Sequence, residues 1–169
     1  MGCGMFITSQ ADVLSECFRV STSYMPSNNA GLDPYVTTRQ WSRRFVGLRL
    51  FLSLATAGWG GYAAHVERAI QLAEFLAAEL EKSGWTVINR SSLAVVCAVP
   101  PAGSPAPGVI ARQVVASGVA WVSSAIFRDR EVVRMCVTNG QSTRSDIETL
   151  VATMRSLVNA SDAEWLGRP

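Results

Sequence analysis

The chain has 169 residues, enough for one domain with a substantial core and for two only if both are small. Apolar residues make up 49% of it and charged residues 17%, below the roughly 25% of an average soluble domain, which excludes a disordered tail, a collagen-like repeat and a highly charged coiled coil. A formal charge of +2 is too slight to direct the chain to nucleic acid or to a membrane surface. Fourteen of the fifteen basic residues are arginine. Lys82 is the one lysine and His65 the one histidine, so chemistry needing a lysine amine or an imidazole has one candidate of each.

Cys3, Cys17, Cys97 and Cys136 form no C-x-x-C pair and have no histidine partner at metal-ligand spacing. They read as reduced thiols of a cytoplasmic protein, with no metal site. The first twenty residues carry Asp12, Glu16 and Arg19 without a continuous apolar core, so no signal peptide is expected. Phe6 stands where a myristoylation signal would need Ser or Thr. The most apolar stretch, 45–59, is interrupted by Arg49 and is shorter than the ~20 residues of a membrane span.

In chain order, Gly4-Met5-Phe6-Ile7-Thr8 has the pattern of a short buried strand, and a turn or two of helix follows over 11–18. Residues 20–41 are polar and irregular, the composition of a binding loop or lid. A helix is predicted over 42–57, apolar nearly all round and therefore buried on several sides. Gly58, Gly60 and Gly61 separate it from a second helix over 62–82, where Val66, Ala69, Ile70, Ala73, Leu76, Ala77 and Leu80 keep helical spacing and Gly84 supplies the stop.

The period then changes. Strands are predicted over 85–89 and 93–99, a short helix over 109–117, and a hairpin of 119–127 with 131–138 across Arg128-Asp129-Arg130. Thr143-x-x-Asp146 opens a last amphipathic helix carrying Ile147, Leu150, Val151, Met154, Leu157 and Val158. The order β-β-α-β-β-α describes a small α+β domain, an antiparallel sheet with helices on one face. The first strand has no neighbour in sequence and no obvious partner among the later ones. An open edge of that kind is avoided in folded proteins, so it is expected to be an orphan whose partners lie outside this chain.

Four stretches, in order, resemble the C-terminal part of the group II pyridoxal-phosphate-dependent decarboxylases, the family of aromatic-amino-acid, histidine and glutamate decarboxylases. They are Gly2-Cys3-Gly4-Met5-Phe6, Tyr24-Met25-Pro26 with its loop, Trp41-Ser42-Arg43-Arg44-Phe45-Val46-Gly47-Leu48-Arg49, and Arg134-Met135-Cys136-Val137-Thr138-Asn139. The resemblance covers nearly all of this chain but only the C-terminal minority of the family's. It implies an α/β enzyme of fold type I, homodimeric, with active sites at the subunit interface. Residues 1–41 would end the large cofactor domain and carry the substrate loop, 42–84 would be connecting helices, 85–160 the small α+β domain, and 161–169 a tail.

The implied reaction is decarboxylation of an amino acid to an amine, through an imine between the substrate and pyridoxal phosphate. That chemistry needs a lysine for the resting cofactor, which the family keeps upstream of its counterpart of Gly2. Lys82 closes an amphipathic helix, where a lysine faces water, and His65 lies beside the apolar positions of the same helix; both read as non-catalytic. Two residues match family roles. Arg134 would bind the substrate α-carboxylate, the rival reading being an arginine on a polar strand face paired with a structural acid. Tyr35, one residue out of the family's register, would protonate Cα, with Tyr24 as an alternative. Arg43, Arg44 and Trp41 read as scaffold.

The leading expectation is therefore a C-terminal decarboxylase segment from a truncated, split or misassigned frame, inactive alone and without covalent cofactor. An upstream in-frame Asp-x-His-Lys would match that reading. The rivals are a non-catalytic interaction module that pairs with a lysine-bearing subunit, and a different fold type I enzyme such as a lyase or aminotransferase.

Overall fold

The structure, a computed structural model, describes residues 6–10, 12–18, 37–38 and 44–159. The chain divides into two compact units, Met1–Gly58 and Trp59–Pro169.

In the first unit, α1 spans Val13–Phe18. Phe6-Ile7-Thr8 belongs to no strand and pairs with nothing in the sheet, and Phe6 and Ile7 are 71% and 84% exposed. This corrects the expectation of a buried strand for the described residues of the stretch. The next element, α2, runs Gly47–Lys82 and continues into the second unit. Two corrections follow. Arg44 and Phe45 precede the helix rather than open it, and the expected break between two helical segments falls at Gly58 alone, where the helix kinks, rather than across all three glycines. Only Gly58 leaves helical geometry, at φ 66 and ψ 172, a region open to glycine alone; Gly60 and Gly61 remain helical. The expected burial of the apolar 42–57 stretch is also overturned. Phe51 is 65% and Leu52 54% exposed, because no described residue of that unit covers them.

The second unit holds the sheet. Four strands, β1 Thr86–Val87, β2 Val95–Val99, β3 Ser123–Phe127 and β4 Arg130–Cys136, lie in the order β1-β2-β4-β3, all antiparallel. Helices α3 (Pro107–Ala116) and α4 (Arg144–Asn159), with the last turns of α2, supply the rest of one continuous core. Leu76 and Leu80 of α2, Ile110 and Val114 of α3 and Met154 of α4 are fully enclosed against Val133 and Met135 of β4. The predicted α+β layering is the observed one.

Local chemistry sets the boundaries. At the end of α2, Gly84 takes φ 83, so that Trp85 N–H donates to Leu80 O and Gly84 N–H to Glu81 O, both at 3.0 Å. This glycine-terminated double bond closes the helix and folds Trp85 back onto the core beside Leu80. Strand β1 is shorter than predicted because a side chain takes over its ladder. Asn89 Oδ1 accepts from Cys97 N–H at 2.6 Å while Asn89 Nδ2 donates to Val95 O at 2.8 Å. The hairpin turn is two residues, Arg128 and Asp129, both at positive φ, the geometry that matches the twist of the paired strands. Helix α3 starts at Pro107 without a side-chain cap of its own, and Glu131 of β4 accepts from Gly108 N–H at 3.1 Å in its place.

The predicted capping pattern opens α4. Asp146 Oδ2 accepts from Thr143 N–H at 2.8 Å and from Thr143 Oγ1 at 2.9 Å, while Asp146 N–H donates to Thr143 Oγ1 at 3.3 Å. Those bonds favour the carboxylate and hold Asp146 below the usual carboxylate range. A carboxyl whose pKa falls on folding stabilises the fold above its unfolded value, about 3.9, and loses that contribution as pH drops through the lower folded value. Thr143→Ala is expected to cost about 1 kcal/mol in urea unfolding at neutral pH. Asp146→Asn is expected to lower the melting temperature at pH 7, with the gap from wild type closing as pH falls below the carboxylate range.

Candidate functional site

Strand β4 is interior to the sheet, bonded to β2 on one side and β3 on the other, so its register leaves little freedom. Alternation sends Val133 and Met135 to the helices, and sends Val132, Arg134 and Cys136 to the opposite face. Arg134 stands across from Cys97 on β2 and Ser123 on β3. Its side chain is exposed, and among the described residues no carboxylate pairs with it; the ion pair present is Lys82–Glu79. The rival reading, a structural arginine held by an acid, therefore has no partner among the described residues. A guanidinium in this setting offers a planar fork to an incoming carboxylate.

Its surroundings are thiol-rich. Burial pushes the Cys97 thiol up, the Arg134 guanidinium opposes that rise, and the nearby Cys136 adds to it. Sequence reading found Arg134 but missed Cys97 and Ser123 as its neighbours. Only the register brings them there, and nothing local in the sequence encodes it.

The other expected residues are not gathered at this face. Tyr35, Tyr24, Trp41 and Arg43 lie outside the described residues. Lys82 is at the end of α2, its side chain 71% exposed and its Nζ 2.6 Å from Glu79 Oε1. His65 sits against Gly140 in the loop between β4 and α4, where a Cβ added to that glycine would stand 3.1 Å from Nδ1. A cavity of about 590 Å³ lies between segment 119–122, the end of β4 and the first turns of α4, walled by Val122, Met135, Val137, Ile147 and Leu150. Arg134 does not line it, so this hollow and the candidate carboxylate-binding residue are separate. No described helix is long and apolar enough to cross a membrane.

Comparison with known proteins places this geometry. A family model described as "Pyridoxal-dependent decarboxylase conserved domain" matches residues 1–98. An aromatic-L-amino-acid decarboxylase of Bacillus atrophaeus is 22% identical over 170 residues, covering 93% of this chain and 35% of the relative. The chain thus spans about a third of the length of that curated protein. Among solved structures, Oryza sativa TDC with PLP and tryptamine superposes with a TM-score of 0.73 at 18% identity, over 88% of this chain and 34% of that one. Mouse CSAD in apo form gives 0.71 at 22% identity, over 88% and 34%. These structural likenesses establish a shared fold.

Thiol reactivity checks the site's register. Alkylation by iodoacetamide near neutral pH is expected to modify exposed Cys17 before buried Cys97. Because the thiolate is the reactive form and Arg134 favours it, Arg134→Gln should slow Cys97 severalfold further. Equal rates at Cys97 and Cys17 in the wild type would contradict the register.

Proposed function

The chain belongs to the pyridoxal-dependent decarboxylase family, and on that premise we propose that it is the C-terminal part of a carboxy-lyase that converts an amino acid to an amine. The observation that carries this reading is the family match over residues 1–98 continued by a small α+β domain with the fold of the similar decarboxylases. In this reading Arg134 binds and orients the substrate α-carboxylate, supported by its exposed, acid-free position on an otherwise well-packed strand. Tyr35 is the proposed proton donor to Cα. The active assembly is a cytoplasmic homodimer in which the binding face of this segment completes a site built largely by other chain.

The described residues do not fit the family's cofactor by themselves. Holding pyridoxal phosphate covalently takes a lysine amine in an enclosed site, and the sole lysine of this sequence is on the surface in an ion pair with Glu79. The chain's own contribution is accordingly binding and positioning, with the electron sink supplied elsewhere. Incubation of the purified chain with pyridoxal phosphate followed by dialysis is expected to leave no cofactor absorbance on the protein and no release of CO₂ from amino acids. Retained, borohydride-fixable cofactor on Lys82 would overturn this.

A second reading, a non-catalytic module that pairs with a lysine-bearing subunit, is favoured by the apolar side chains at and just before the start of α2. Phe45, Phe51 and Leu52 of the first unit are 78%, 65% and 54% exposed, large apolar surface of the kind that marks an interaction site. Co-purification of the tagged chain from its source with a full-length relative is the expected result in that case, and a chain that stays alone or self-aggregates would count against it.

A further inference from the structure

A second cluster of arginines lies away from β4. Arg68, on α2, and Arg144, the first residue of α4, face one cavity of about 260 Å³, completed by Gln71, Leu72 and Thr143. Both heads are fixed without a carboxylate. Arg68 Nη2 donates to Ser142 O at 2.8 Å, which leaves most of its donors unused. The Arg144 guanidinium carbon lies 4.7 Å from the centre of the Phe75 ring, so its edge stays available. The acids nearest in sequence do not neutralise them. Glu67 and Glu148 form no ion pair, and Asp146 is turned to Thr143 in the helix cap. Among the described residues, no acidic one lines the cavity.

We propose that Arg68 and Arg144 form a binding site for a phosphoryl dianion. Two planar forks facing one cavity suit an oxyanion with several free oxygens better than a halide, which cannot use the fork geometry. The hollow has room for that anion with several waters, at about 30 Å³ each. Gln71 adds an uncharged polar group to the wall, while the Thr143 donors are held by Asp146. The site rests on the arginines and not on the helix end, because the capping box already occupies first-turn groups of α4. Inorganic phosphate and the phosphate end of a small monoester share the chemistry read here. The site is independent of the decarboxylase assignment: no residue of the β4 face takes part.

Isothermal titration of the full chain at low ionic strength with inorganic phosphate, chloride held constant, is the test. Saturable one-to-one binding is expected, weakened at least tenfold by Arg68→Gln and by Arg144→Gln and unchanged by Arg155→Gln on the exposed side of α4. Glycerol 3-phosphate in parallel separates the two sources: tighter binding than inorganic phosphate assigns the site to a monoester, and weaker binding assigns it to the free ion. Melting in phosphate against chloride of equal ionic strength gives an independent reading, with a rise expected in wild type and lost in the double variant. Absence of saturable binding, equal weakening by Arg155→Gln, or succinate binding as tightly as phosphate would each overturn the proposal.

Discussion

The small domain depends on the placement of β4 between β2 and β3. A strand bonded on both edges cannot slide by one residue without exchanging its faces, and here that exchange would send Arg134 into the helices and Met135 to the open side. Core and candidate site are thus two sides of one strand. The side chains that seal the domain, Val133 and Met135, fix the direction in which the guanidinium points. One register of a seven-residue strand therefore decides both the packing of the core and the direction in which Arg134 faces.

Much of this was legible in the sequence where the signal is local. The helical stripe through Ala73, Leu76 and Leu80, the Gly84 stop and the Thr143–Asp146 cap all depend on residues within a few positions of one another, and each forms as predicted. Arg134 also announced itself, as a cation inside an apolar alternating run. The strand order did not. Choosing β2 as a partner for β4 depends on residues far apart in the chain, and no periodicity carries that information. Asn89 was missed for a related reason: an asparagine beside a strand reads as a turn residue, yet here its amide imitates the backbone ladder. The glycine break in α2 was legible too, at Gly58; Gly60 and Gly61 stay helical, since a glycine lowers helix propensity by only about 1 kcal/mol and the flanking turns carry the helix through them. Burial of the apolar 42–57 stretch followed from composition alone, and composition does not say which chain supplies the cover.

The excess of arginine over lysine has a structural counterpart. Lys82 does what a lysine at a helix end commonly does, balancing a glutamate at the surface. Arg68, Arg134 and Arg144 do what lysine cannot, presenting flat multidentate donors from fixed positions, one of them laid on an aromatic ring. A segment furnished in this way is suited to recognising oxyanions and poorly suited to forming covalent bonds with carbonyl compounds.

The two-residue turn between β3 and β4 also bears on how the domain assembles. Bringing Phe127 to Arg130 closes almost no loop, whereas pairing β2 with β4 encloses the whole of α3 and β3, and the entropy lost on closure grows with the length enclosed. The hairpin is therefore the inexpensive nucleus, and β2 is the late arrival that fills the other edge of β4. Until β2 docks, Arg134 is flanked on one side only. The face that carries Arg134 is completed by the last and most entropically costly pairing in the sheet, so its integrity reports on whether the domain has finished folding.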